Sequence, residues 1–221
     1  MNKQRFEEIG LIKYVGYFIV YAIIYSGARQ VIKQDASLLS ILVFLIFAWG
    51  AIMLFAYEYR DEQKYFDSYY YKMPVLGRML PVTLLVFLIT ACRIGLDYLQ
   101  MFFYIDFINI GKVYIMHEST LNFCFIVLAF GAVIPFLQVY LADGFFFDYL
   151  FRGQSRKAAV VGIITSALIF AMLNMQFQPV WLLANFVLGC ILAWSYLYAQ
   201  ALWFPMTLAL INGLLTMIAL K

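Results

Sequence analysis

Asp148 and Arg152 stand four residues apart in the run Phe147-Asp148-Tyr149-Leu150-Phe151-Arg152-Gly153, at the end of an apolar stretch. On a helix that spacing puts both on one face, a turn apart. A carboxylate beside a guanidinium at such a place can serve as a general acid or base, or it can lock a helix end as an ion pair. Two more polar residues interrupt apolar runs downstream: Asn174, closing Ser166-Ala167-Leu168-Ile169-Phe170-Ala171-Met172-Leu173-Asn174, and Asn212, inside the run that starts Leu202-Trp203-Phe204-Pro205. Polar side chains within a membrane normally mark its working part. Hydrolysis of a peptide there needs a general base and a group that orients or activates water. Asparagine cannot exchange a proton near neutral pH. One aspartate with two asparagines is also a poor metal site, since transition metals favour imidazole, thiolate or several carboxylates. Neither a metal nor a cofactor is expected.

Each of these residues also has a simpler reading. Asn174 and Asn212 suit interhelical hydrogen bonds, contributing about 0.6–2 kcal/mol each. Arg93 and Asp97, again four apart, suit a mutual ion pair, and the sharper reading makes them part of an ion or proton pathway. Gly162 and Gly189 suit close helix crossings. Pro135, Pro179 and Pro205 suit kinks or helix starts.

The elements that must position these residues follow from composition. The chain has 221 residues, of which 66% are apolar and 12% charged. Soluble domains run near half apolar and a quarter charged, so this is a membrane protein by composition alone. The mean hydropathy of +0.88 agrees. Apolar runs of about 20 residues each cross a bilayer. By that measure seven spans are expected, at residues 9–26, 37–57, 79–99, 120–141, 157–175, 180–199 and 202–220. The fourth continues past Asp143 and Gly144 toward Phe151, and is therefore long, or broken near Gly144. The fold class is all-α, a polytopic transmembrane helical bundle. The segment 98–115 is rich in aromatics but carries Asp106 and Lys112, and reads as interfacial or re-entrant, with an eighth span as the alternative. Residues 58–78 form the one long charged loop.

Orientation follows from the basic residues. With the N-terminus in the cytoplasm, Lys3, Arg5, Lys13, Arg60, Lys64, Lys72, Arg78, Arg152, Arg156 and Lys157 fall inside, against Arg29, Lys33, Lys112 and Lys221 outside. That is a clear positive-inside bias. The net charge of +3 makes no case for nucleic acid, and the lipid bilayer is the expected surrounding. Cys92, Cys124 and Cys190 all lie in apolar runs without metal or disulfide spacing, and read as small core residues. The sole histidine, His117, lies in a loop.

The order Asp148/Arg152, Asn174, Asn212 resembles the CAAX-protease and bacteriocin-processing family of intramembrane proteases. That family carries Glu-Glu-x-x-x-Arg continuing as Phe-Arg-Gly, then Phe-x-x-x-His, then His-x-x-x-Asn after a Leu-Trp-x-Pro start. Phe151-Arg152-Gly153, Phe170 and Leu202-Trp203-Phe204-Pro205 match, as does the glycine-bearing run Asn185-Phe186-Val187-Leu188-Gly189. The resemblance covers roughly residues 121–215, dividing the chain into N-terminal helices, 1–119, and a protease-like core, 120–221. At the catalytic positions the chain departs. Phe147 and Asp148 replace the glutamates, Asn174 the first histidine, Ala209 the second and Gly213 the asparagine, with Asn212 one residue early.

The resemblance therefore implies a catalytically inactive member, not an enzyme, that holds or presents another membrane protein or an amphiphilic peptide. In bacteria it suggests scaffolding of a cell-wall enzyme, modulation of a membrane sensor, or self-immunity against a bacteriocin, in the cell membrane. Two alternatives stay open. One is a peptidase using Asp148 with Asp143 and Arg152; the other is a small transporter or channel.

Overall fold

The computed structural model describes residues 3–33, 37–65, 80–103, 120–151 and 155–218, and all its regular elements there are helical. They are α1 (Lys3–Lys33), α2 (Leu38–Tyr65), α3 (Leu80–Phe103), α4 (Thr120–Leu150), α5 (Arg156–Leu173), α6 (Pro179–Ala199) and α7 (Trp203–Ile218). Each expected apolar run thus lies on one of these helices. Among the described residues, five segments are long and apolar enough to cross a membrane: Gly10–Ile32, Leu38–Asp61, Thr120–Leu150, Arg156–Leu173 and Pro179–Ala199. The expected loop at 58–78 is helical as far as Tyr65, and 98–115 as far as Phe103. The remainder of both, with His117, lies outside the described residues.

The centre of the bundle is α4, the most buried of the five crossing segments. It is neither broken at Gly144 nor regular. Ala129–Val133 and Tyr140–Leu150 are wound as π-helix, in which each N–H reaches back five residues instead of four. The first π turn has a local cause. Pro135 has no N–H to give the Gly131 carbonyl, so the ladder there must be rearranged, and the Ile134 N–H bonds back to Ala129. The second holds the crowded run Gly144-Phe145-Phe146-Phe147. It ends where Phe151 turns extended, with its N–H on the Phe146 carbonyl at 3.1 Å.

Between membrane helices there is no hydrophobic drive, so close approach and hydrogen bonds carry the packing. Small residues provide the approach. A Cβ on Gly189 would stand 2.8 Å from Ala167 Cα, which sets the α5–α6 crossing. A Cβ on Gly213 of α7 would overlap the Gly131 carbonyl of α4. Gly162 of α5 is covered by the Phe147 and Phe151 rings. Ser155 caps α5 by accepting the Ala158 N–H, and Pro179 opens α6 at a position where no N–H is needed.

Tyrosines join α1 to this centre. Tyr14, Tyr17, Tyr21 and Tyr25 are spaced three and four apart, so they share one face, and all four are buried. Tyr17 stacks on Phe145 at 4.3 Å, and Phe145 stacks in turn on Tyr149 and Tyr140. Phe55 and Tyr59 of α2 meet the same rings edge-on. The opposite faces, with Ile12, Ile19 and Ile23 on α1 and Leu39, Ile46 and Phe47 on α2, are exposed and match lipid in polarity. Cys92 and Cys124 also lie on exposed faces, which corrects their expected place in the core. A thiol is apolar enough to face lipid as readily as a core.

Candidate functional site

α4 and α5 run antiparallel, and three contacts fix their register. Phe147 and Phe151 cover Gly162, Ser166 meets Ala142 and Asp143, and Tyr21 joins Gln138 to the Leu173 carbonyl. Asn174 therefore lies at the level of Gln138. Asp148 is ten residues along α4 from there, on the order of 10–15 Å at helical rise. α7 is also antiparallel to α4, with Leu202 against Gly144 and Gly213 against Gly131. Ala209 and Asn212 thus pack toward the Gly131 end. The three polar positions singled out in sequence are not brought together.

Their surroundings differ as well. Phe147 is 1% exposed and fills its site with a ring packed on Phe146, Phe151 and Tyr196. Asp148 is buried beside it at 2% exposure. Asn174 turns its amide back onto the Phe170 carbonyl of its own helix at 2.9 Å, and its link to α1 is its backbone carbonyl, 3.4 Å from the Tyr25 hydroxyl. Asn212 is buried in α7, and Ala209 is 1% exposed. Arg152 lies outside the described residues, so its pairing with Asp148 does too. Arg93 and Asp97 both fall on α3, and their side chains likewise lie outside the described residues.

What is brought together is a ladder of buried polar groups along the α1–α4–α5 seam. The Gln138 amide donates to the Tyr21 hydroxyl at 2.9 Å, which donates to the Leu173 carbonyl at 2.7 Å. The Tyr14 hydroxyl donates to the Leu141 carbonyl at 3.1 Å. The Ser166 hydroxyl lies 2.8 Å from both the Ala142 carbonyl and Asp143 Oδ1. Nearby, the Tyr59 and Tyr196 hydroxyls share a hydrogen bond of 3.1 Å. At one end of the seam Tyr17 donates to Glu58, which also lies 3.6 Å from Lys13. Of these residues, only Asp143 entered the functional reading of the sequence. The tyrosine spacing on α1 was the available signal, together with Gln138 and Ser166 standing in apolar runs.

Of the resembled motif positions, Phe147, Ala209 and Gly213 carry no side-chain proton or ligand, the Asn174 amide bonds to its own helix turn, and Asp148 is a buried carboxylate.

Helices that cross a bilayer, packed around a long π-wound helix, define a polytopic helical membrane protein. Residues 120–215 match the family model described as "Type II CAAX prenyl endopeptidase Rce1-like". Over this segment, less than half of its length, the chain is similar to the type II CAAX prenyl endopeptidases of the Rce1-like family. No curated protein and no solved structure matches the chain.

Proposed function

We propose that the protein is a catalytically inactive member of this peptidase family, working as a membrane scaffold or regulator that binds another integral membrane protein or an amphiphilic peptide. The observation that carries this reading is the filling of the catalytic positions. Phe147 is packed between aromatic rings, and Gly213 is pressed so closely on the Gly131 carbonyl that no asparagine fits. Of the acid–base positions only Asp148 keeps a carboxyl, while Phe151, Phe170 and Leu202-Trp203-Phe204-Pro205 keep the family's frame. A fold that keeps its frame and fills its site retains surfaces for holding a partner. A cell-wall enzyme, a membrane sensor and a bacteriocin-type peptide are the partner classes that the resemblance offers. In the bilayer the chain makes seven crossings, with the N-terminus and the connection between α4 and α5 in the cytoplasm.

Photo-crosslinking in native membranes, with the probe placed in turn at the exposed Ile46, Phe47 and Val160, tests this reading. The expected product is one crosslinked partner of full length at one of these faces. A partner recovered only as fragments, with fragmentation lost in Asp148→Asn, contradicts it and favours the atypical aspartate peptidase.

A further inference from the structure

Asp143 is 1% exposed and lies well inside α4. Its Oδ1 and the Ala142 carbonyl each stand 2.8 Å from the Ser166 hydroxyl, itself fully buried. A hydroxyl has one hydrogen and cannot serve both acceptors at once. Asp143 Oδ2, equally buried, has no hydrogen-bond partner among the described residues. Nor does Asp143 form an ion pair among them. A carboxylate, a carbonyl and a hydroxyl thus meet at one buried point, with Ser166 the one side-chain donor given there, in a medium where a buried charge must be paired or bound to a metal.

We propose that Asp143, Ser166 and the Ala142 carbonyl form a binding site for a monovalent alkali cation, of the sodium class, at the crossing of α4 and α5. The donors are all hard oxygens, which suit alkali and alkaline-earth ions and not softer metals. One carboxylate balances one positive charge, and a divalent ion would leave a net charge in a low-dielectric interior. The site lies in the π-wound part of α4. The bound ion joins the Asp143 side chain to α5 and so pins the π segment against its neighbour. The peptidase positions play no part in it.

The test uses the full chain purified in detergent. Its unfolding midpoint is followed in sodium chloride and in choline chloride of equal ionic strength, with infrared spectra of the same samples. The midpoint is expected to rise by roughly 3–5 °C for each tenfold increase of sodium above its dissociation constant. Choline leaves it unchanged, Asp143→Asn abolishes the dependence, and Ser166→Ala weakens sodium binding tenfold or more. Equal stabilisation by choline, or sodium dependence that survives in Asp143→Asn, overturns the proposal. So does a carboxylic-acid infrared band in sodium buffer that vanishes in Asp143→Asn, since that carboxyl would hold a proton only. Should Asp143→Asn fail to fold, binding of radioactive sodium to the wild type decides: saturable binding with about one ion per chain supports the site, and its absence overturns it.

Discussion

At Gly213 the family's last motif position has no room for a side chain, because the α7 backbone lies on the Gly131 carbonyl. Gly213→Ala forces backbone against backbone and is expected to cost about 1–3 kcal/mol, read as a lowered unfolding midpoint in detergent. Gly16 and Gly50 have nothing within 4 Å of an added Cβ. The same substitution there is expected to stabilise by about 0.5–1 kcal/mol through helix propensity. Tyr21 offers a second contrast on one helix. Its hydroxyl serves two buried bonds, whereas Tyr25 makes a single long one at 3.4 Å. Tyr21→Phe is expected to cost about 1–3 kcal/mol and Tyr25→Phe well under 1 kcal/mol in the same measurement. Much at this scale was legible in sequence. Phe147, Asn174, Ala209 and Gly213 depart from the resembled motif by identity alone. The partners of Ser166 and Gln138 were not legible, because a lone serine or glutamine in an apolar run names no neighbour until helix register is known.

Among the elements, α4 departs most from expectation. Its apolar pattern predicts a long helix, and a long helix forms, but pattern says nothing of π winding. The first π turn follows from Pro135 withholding one N–H; in the second, Gly144 admits close neighbours, since a Cβ there would stand 3.0 Å from Leu202 and 3.3 Å from Tyr59. Phe145 is fully buried at the centre of the stack that ties α1 and α2 to this segment. Phe145→Ala opens a cavity there and is expected to cost about 3–5 kcal/mol. The same substitution at the lipid-facing Phe47 is expected to cost under 1 kcal/mol, with both read from unfolding midpoints. In sequence α1 is only a general apolar span, and the spacing of Tyr14, Tyr17, Tyr21 and Tyr25 is what marks their shared packing face.

For the whole molecule, the proposed orientation puts the Lys13–Glu58 pair and Arg156 on the cytoplasmic side. Single-cysteine variants at Arg156 and at Ser37, in a chain with Cys92, Cys124 and Cys190 replaced, are expected to label from opposite sides of sealed right-side-out vesicles. Ser37 should react with an impermeant reagent and Arg156 only after lysis. The hydropathy that fixes the helices cannot fix a partner, because lipid-facing and partner-facing apolar surfaces look alike in sequence and in burial. The proposed role therefore rests on the residues kept from the resembled frame and on the filling of Phe147 and Gly213. The most direct measurement is cleavage of a labelled transmembrane-peptide library by the purified chain in liposomes, wild type against Asp148→Asn. No cleavage above the Asp148→Asn background is expected; cleavage that this substitution abolishes would contradict the account.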